Sequence, residues 1–266
     1  MTKKAPARNP AKLAFWIVVI LTLVGSSTIL SQIIVGYLMV WMLGAETFAK
    51  PMPMAIYSAL SYCLAMVFIL TISLNAAKWK KTKKQKKSPS QKKAEIAEER
   101  RTIGLSGWPT WTDIGLAPVG FIVYLLLAAG LVAIFNLFPW FNSGEAQNVG
   151  FDYFVSGFDR VLAFLTLVVI APVAEEVIFR GWLYGKMREK IAAEYSNAIS
   201  IIVSSLLVSL VFGVVHLQWN VGVNVFALSI VLCSLREITG TIYAGILLHM
   251  LKNGVAFWLL YMMGMR

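Results

Sequence analysis

The sequence predicts an all-α fold, a polytopic bundle of transmembrane helices with seven or eight spans. Three observations predict it. The chain is 58% hydrophobic and 14% charged, with a mean hydropathy of +0.72, against about 45–50% apolar and about 25% charged residues in a soluble globule. Its apolar residues are gathered into stretches of the length that crosses a bilayer, roughly 20 residues each. Its basic residues crowd into the N-terminus and one loop beside those stretches, the positive-inside pattern.

Lys3, Lys4, Arg8 and Lys12 precede the first apolar run, 13–42. That run is too long for the core of a cleavable signal, so it reads as a retained span with its N-terminus in the cytoplasm. The second span is expected at 54–76. Nine lysines follow between Lys78 and Lys93, then the charged helix candidate AEIAEERR. This stretch reads as a solvated cytoplasmic loop that also attracts anionic headgroups, at about 1 kcal/mol for each nearby lysine. Residues 102–112 (TIGLSGWPTWT) hold two Trp, which favour the membrane interface. Further spans are expected at 114–138, 157–183, 197–217, 221–235 and 240–263. The sixth of the seven is short and reads as tilted, broken or buried in the bundle. Residues 139–154 read as an external loop, and Lys186, Arg188 and Lys190 return the chain to the cytoplasm. Three regions result: an N-terminal transmembrane pair (1–77), a basic loop with an interfacial segment (78–112) and a larger membrane domain (113–266). The expected location is multi-pass in the cell membrane.

The net charge of +11 is a property of loops flanking apolar spans, so membrane lipids rather than nucleic acid are the partner it implies. Cys63 and Cys233 both lie in apolar stretches. They lack zinc-finger or CxxC spacing, so neither a disulfide nor cysteine chemistry is expected.

Ionisable residues inside spans are costly and mark functional sites by default. Three clusters qualify. Glu176 and Arg180 are four residues apart, so they share a helix face and can pair. Glu175 points about 100° away from Glu176 and is left free to face a cavity. A structural ion pair explains Glu176 and Arg180 but not Glu175. The second cluster is Phe212-Gly-Val-Val-His216, and the third is His249-Met-Leu-Lys-Asn253. His249 and Asn253 share a face and could serve merely as a helix–helix hydrogen bond. Lys252 is expected to point elsewhere and snorkel toward an interface.

His216 and His249 are the only histidines of the chain, and both lie in apolar spans. Two imidazoles, a spare carboxylate and an amide form a sufficient set for hydrolysis. Carboxylate or imidazole can take a proton from water, both are zinc ligands, and N–H donors stabilise an oxyanion. HExxH, GxSxG, P-loop and dinucleotide motifs do not occur. Ser204, Ser205 and Ser209 precede His216 and leave a serine nucleophile open.

The three clusters, in order, resemble the CAAX-processing and bacteriocin-processing (CPBP, or Abi) family of intramembrane proteases, with its EExxxR, FxxxH and HxxxN motifs. Phe179-Arg180-Gly181-Trp182-Leu183 is similar to the family as well, and the resemblance covers about residues 100–263. It implies a helical membrane bundle with a polar cavity lined by Glu175, His216, His249 and Asn253. It further implies that Glu175 activates water with help from His216, that His249 and Asn253 hold the oxyanion, and that Glu176, Arg180 and Phe212 support them. A zinc ion on Glu175, His216 and His249 and a metal-free mechanism fit equally. The substrate class implied is a prenylated or otherwise membrane-associated protein or peptide. Two other readings use the same residues: a non-catalytic bacteriocin immunity or scaffold protein, and a transporter with a proton relay.

One geometric expectation remains. At about 1.5 Å per residue, His216 lies some 30 Å along a helix beginning near Asn197. Glu175 falls nearer mid-span on a helix ending near Lys190. A tilt, or a non-spanning segment between 181 and 200, is expected to bring them level.

Overall fold

The computed structural model describes residues 9–81, 102–145 and 157–264, with the side chains of 73–81 outside the description. The lysine-rich stretch beyond Lys81, the charged segment 94–101 and residues 146–154 of the expected external loop lie outside the described residues. Everything regular within the described residues is helical. Seven helices are long and apolar enough to span a membrane: α1 (Pro10–Leu43), α2 (Pro51–Lys81), α3 (Trp111–Phe135), α4 (Gly157–Ala192), α5 (Asn197–Val214), α6 (Trp219–Thr239) and α7 (Tyr243–Tyr261). A short turn, Ala45–Phe48, joins α1 to α2. The protein is an integral, multi-pass membrane protein.

Local sequence sets the helix ends. Pro10 begins α1 behind Asn9, whose side chain accepts from the Lys12 N–H. Thr110 and Asp113 form a reciprocal capping box at the start of α3, the arrangement that satisfies two orphan N–H donors at once. Asp113 also accepts from the Thr241 hydroxyl, which ties the start of α3 to the α6–α7 turn. Gly240 ends α6 with φ of +71°, the left-handed cap that glycine takes without a Cβ penalty.

The two ends of the bundle are marked by contacts between distant segments. At one end the Asn9 N–H donates to Glu194 at 3.0 Å, and the Lys190 ammonium stands over the Trp16 ring. The same end carries the Ile242 N–H bonded to the Gly104 carbonyl and the Tyr243 hydroxyl bonded to the Gly107 carbonyl. At the opposite end the Asn220 amide donates to the Glu145 carbonyl. The start of α1, the 102–110 segment and the α4–α5 turn therefore share one end.

The sixth span is not short. α6 runs for 21 residues and is the most enclosed helix of the bundle. Its polar Asn220, Asn224, Arg236 and Glu237 sit near its ends, which shortened its apolar pattern without shortening the helix. The α4 helix is not interrupted after residue 181. α4 is one run of 36 residues, about 50 Å long. Glu175 stands roughly 25 Å back from its Ala192 end, and His216 roughly 28 Å on from the Asn197 start of α5. The length of α4 brings the two level.

α4 changes register along its course. Its α-helical turns are interrupted by π segments at Leu165–Ile170 and Glu176–Leu183. These bracket Ala171–Glu175, and wide turns of this kind occur mostly at functional sites. Ile20 and Val24 of α1 and Ala65 and Ile69 of α2 share one buried cluster with Ile178, Phe179, Leu183, Val208 and Phe212. The N-terminal pair thus packs into the same core as the helices that carry the motifs.

Candidate active site

The site is built around the imidazole of His249. Glu176 Oε1 lies 2.9 Å from its Nδ1, and Glu175 Oε2 lies 3.7 Å from its Nε2. The two carboxylates leave α4 in different directions, but the two ring nitrogens lie on opposite edges of one imidazole. Adjacent residues therefore straddle it. Glu176 Oε1 also accepts from Arg180 Nη1 at 3.0 Å, the expected i, i+4 pair. The site thus gives Glu176 two partners where the sequence pattern offered one.

Burial separates the two glutamates. Glu176 and Arg180 are 0% and 1% exposed, while the Glu175 side chain is 13% exposed. A buried carboxylate needs a paired charge and hydrogen bonds, and Arg180 and His249 provide them. Gly245 of α7 makes room for this pair, since a Cβ there would stand 3.2 Å from Glu176 Oε2.

Phe212 is the apolar floor. Its ring meets those of Phe179, His216 and His249 edge to face, with centroids 4.9, 5.1 and 5.9 Å away, and the Arg180 guanidinium lies 4.3 Å over its face. Such edge contacts and cation–π contacts fix ring orientation. His216 sits in the turn just past α5, and its Nδ1 stands 2.7 Å from the Phe212 carbonyl. A carbonyl only accepts, so Nδ1 carries the proton and Nε2 presents its lone pair. The same logic assigns the proton on His249 Nδ1 facing Glu176. Burial, its largest influence, holds the His216 imidazole below its usual pKa, against the opposing pull of Glu175.

Asn253 takes a different position. Its Nδ2 donates to the Leu167 carbonyl at 2.9 Å. The π register pairs the Ala171 N–H with the Thr166 carbonyl. The next carbonyl, Leu167, would then look to residue 172, a proline with no N–H. Asn253 supplies the donor that Pro172 lacks and straps α7 to α4.

Two residues join the site that motif reasoning did not place there. The Tyr62 hydroxyl of α2 interacts with the Glu175 carboxylate. No charge or motif singles out this tyrosine among the nine of the chain. Lys252, expected to point away, lies within the electrostatic reach of both Glu175 and His216. Ser209 faces Cys233, and His216 is engaged with the backbone, so no Ser–His pair forms among the described residues.

The chemistry of the donor set bears on zinc. Among the described residues no three His, Cys, Asp or Glu side chains converge as a metal-ligand group. His249 spends Nδ1 on Glu176, and Nε2 faces a carboxylate 3.7 Å away. Glu175, His216 and His249 therefore do not present a preformed zinc site.

No curated protein and no solved structure gives a significant match to the chain. Residues 157–255 match the family model described as Rce1-like, type II CAAX prenyl endopeptidase. That segment spans every motif residue from Glu175 to Asn253, so over residues 157–255 the chain is similar to CAAX-type intramembrane proteases.

Proposed function

We propose that the protein is a CAAX-type intramembrane endopeptidase. It hydrolyses a peptide bond of a membrane-associated or lipidated protein or peptide, using water activated by Glu175. The observation that carries this reading is the placement of His249 between Glu176 and Glu175, at 2.9 and 3.7 Å. The first distance is a hydrogen bond. The second is too long for one and leaves the Glu175 carboxylate available to a third party, the water and the scissile carbonyl.

Glu175, the more exposed carboxylate, takes a proton from water as the oxygen attacks the carbonyl carbon. His216 assists through Nε2, the nitrogen left with a lone pair once Nδ1 donates to the Phe212 carbonyl. Glu176 fixes the orientation of His249, so that Nε2 addresses the substrate. In its doubly protonated form His249 donates to the developing oxyanion, with two carboxylates beside it to balance the charge. The other N–H of Asn253 is the second oxyanion donor. Donors held in place before the reaction act most strongly where water is excluded. Glu175 then passes its proton to the leaving amine, and the tetrahedral intermediate collapses. In the cell membrane the N-terminus faces the cytoplasm, because the start of α1, with Lys12, and the Lys186–Lys190 cluster share one end of the bundle.

Cleavage of a fluorogenic membrane-peptide library by purified wild type and Glu175→Gln tests the reading. Loss of cleavage with unchanged melting supports Glu175 as general base; equal cleavage by both rejects it.

A further inference from the structure

The mechanism above gives no role to Lys252. Gly245, His249 and Lys252 are spaced four and three residues apart on α7, which puts all three in one stripe of the helix surface. Contacts fix where that stripe faces. Gly245 backs onto Glu176, and His249 lies between Glu176 and Glu175. Lys252 continues the stripe by one turn, past Glu175. The neighbouring face is taken, because Asn253 bonds Leu167 and Gly254 meets Val168. Electrostatic coupling of the ammonium to both Glu175 and His216 agrees with that placement.

Lys252 also lies about 14 Å into α7 from Tyr243, deep for a cation. A lysine at such depth is costly and is usually kept for a site or pathway. Among the described residues no carboxylate comes within the 4.0 Å of an ion pair with it, whereas Arg180, the other cation nearby, is closed off on Glu176 and Phe212. Arg180 is ion-paired and wholly buried, so Lys252 is, among the described residues, the cation beside the two carboxylates that no carboxylate pairs. An anionic group on a bound peptide would be repelled by Glu175 and Glu176 everywhere except at Lys252. A peptide of undefined side chains has one anion it always carries, its C-terminal carboxylate.

We propose that Lys252 is a specificity-determining residue that receives the free C-terminal carboxylate of the substrate and so sets the peptide's direction across Glu175. The proposal rests on the endopeptidase reading. An ammonium supplies three donors and a point charge to such a carboxylate. A substrate ending in an amide leaves the ammonium unpaired.

The test uses one membrane-anchored peptide in two forms, free acid and C-terminal amide, with the full-length protein in lipid nanodiscs. Wild type is expected to favour the acid by at least about tenfold in kcat/KM, the scale of one hydrogen bond to a charged group. Lys252→Gln is expected to bring the ratio near one, chiefly by raising KM for the acid, and Lys252→Arg to restore part of it. The same two peptides are titrated by fluorescence anisotropy onto Glu175→Gln and onto Glu175→Gln/Lys252→Gln. Acid-selective binding that disappears only in the double variant supports Lys252 independently of turnover. An acid-to-amide ratio unchanged by Lys252→Gln in both arms overturns the proposal and leaves the endopeptidase reading intact. Acid-selective binding combined with full cleavage by Glu175→Gln removes the Glu175 mechanism and leaves the role of Lys252 standing.

Discussion

Asn253 donates to the Leu167 carbonyl at the one place where the π register of α4 meets a proline nitrogen. The bond makes a motif residue part of the scaffold that holds Glu175. Asn253→Ala removes the strap and leaves a carbonyl unsatisfied, at a cost of about 1–3 kcal/mol. Pro172→Ala restores an N–H that Leu167 can use. The double variant should therefore lose less stability than the sum of the two singles, the mark of coupled sites. Melting in detergent of the four proteins checks this, and strict additivity would reject the coupling.

Glu176 is the residue on which Arg180 and His249 both depend. Glu176→Gln keeps the shape but lets the amide offer either a donor or an acceptor to His249 Nδ1. The imidazole then loses the carboxylate that holds its Nδ1–H and fixes the direction of Nε2. Losing a tautomer-setting carboxylate beside a catalytic histidine costs up to about 10⁴-fold in kcat in serine proteases. A fall of at least about 100-fold is expected here, with KM little changed. Glu176→Ala also strands the Arg180 cation, a loss of about 3–5 kcal/mol for a broken buried pair. Steady-state kinetics and chemical unfolding separate the two effects.

Much of this was legible in the sequence, for physical reasons that differ between residues. Seven apolar runs gave seven helices because the bilayer demands length and hydrophobicity, which composition records directly. Glu175, Glu176, Arg180, His216 and His249 stood out because charge in a span is rare. Lys186, Arg188 and Lys190 close the apolar span at 183, while the helix itself, expected to end near Lys190, runs to Ala192. The second partner of Glu176 was hidden because a uniform 3.6-residue turn cannot express a π segment. Tyr62 was invisible: an ordinary tyrosine in an apolar helix has no distinguishing pattern until α2 packs against α4.

Tyr62 turns that last point into a measurement. It is contributed by the N-terminal pair, outside the matched family segment. Its hydroxyl is expected to hold the Glu175 carboxylate in the orientation that meets water. Tyr62→Phe removes one oxygen and keeps the ring. The expected result is a fall in kcat of roughly tenfold, on the scale of one hydrogen bond to a charged acceptor, with KM and melting unchanged. An unaltered kcat would show that the phenol is a bystander.

The contact between α5 and α6 gives the sharpest test of how backbone packing places His216. A Cβ at Gly213 would stand 2.9 Å from the Gly222 carbonyl oxygen, and one at Gly222 would stand 3.0 Å from the Gly213 oxygen. Neither obstacle is a flexible side-chain end, so the helices must separate to admit a methyl group. In an open helix Gly→Ala stabilises by about 1 kcal/mol. Here overpacking of about 1–3 kcal/mol opposes that gain, and the net change in Gly213→Ala is expected to be destabilising. His216 lies three residues beyond Gly213 in the turn out of α5, so the displacement reaches it directly. Catalysis should fall more than stability does, and Gly130→Ala, where nothing lies within 4 Å of a Cβ, should raise stability by up to about 1 kcal/mol and leave turnover unchanged. Equal behaviour of the two alanine variants in melting and turnover would show that the close α5–α6 approach does not position His216.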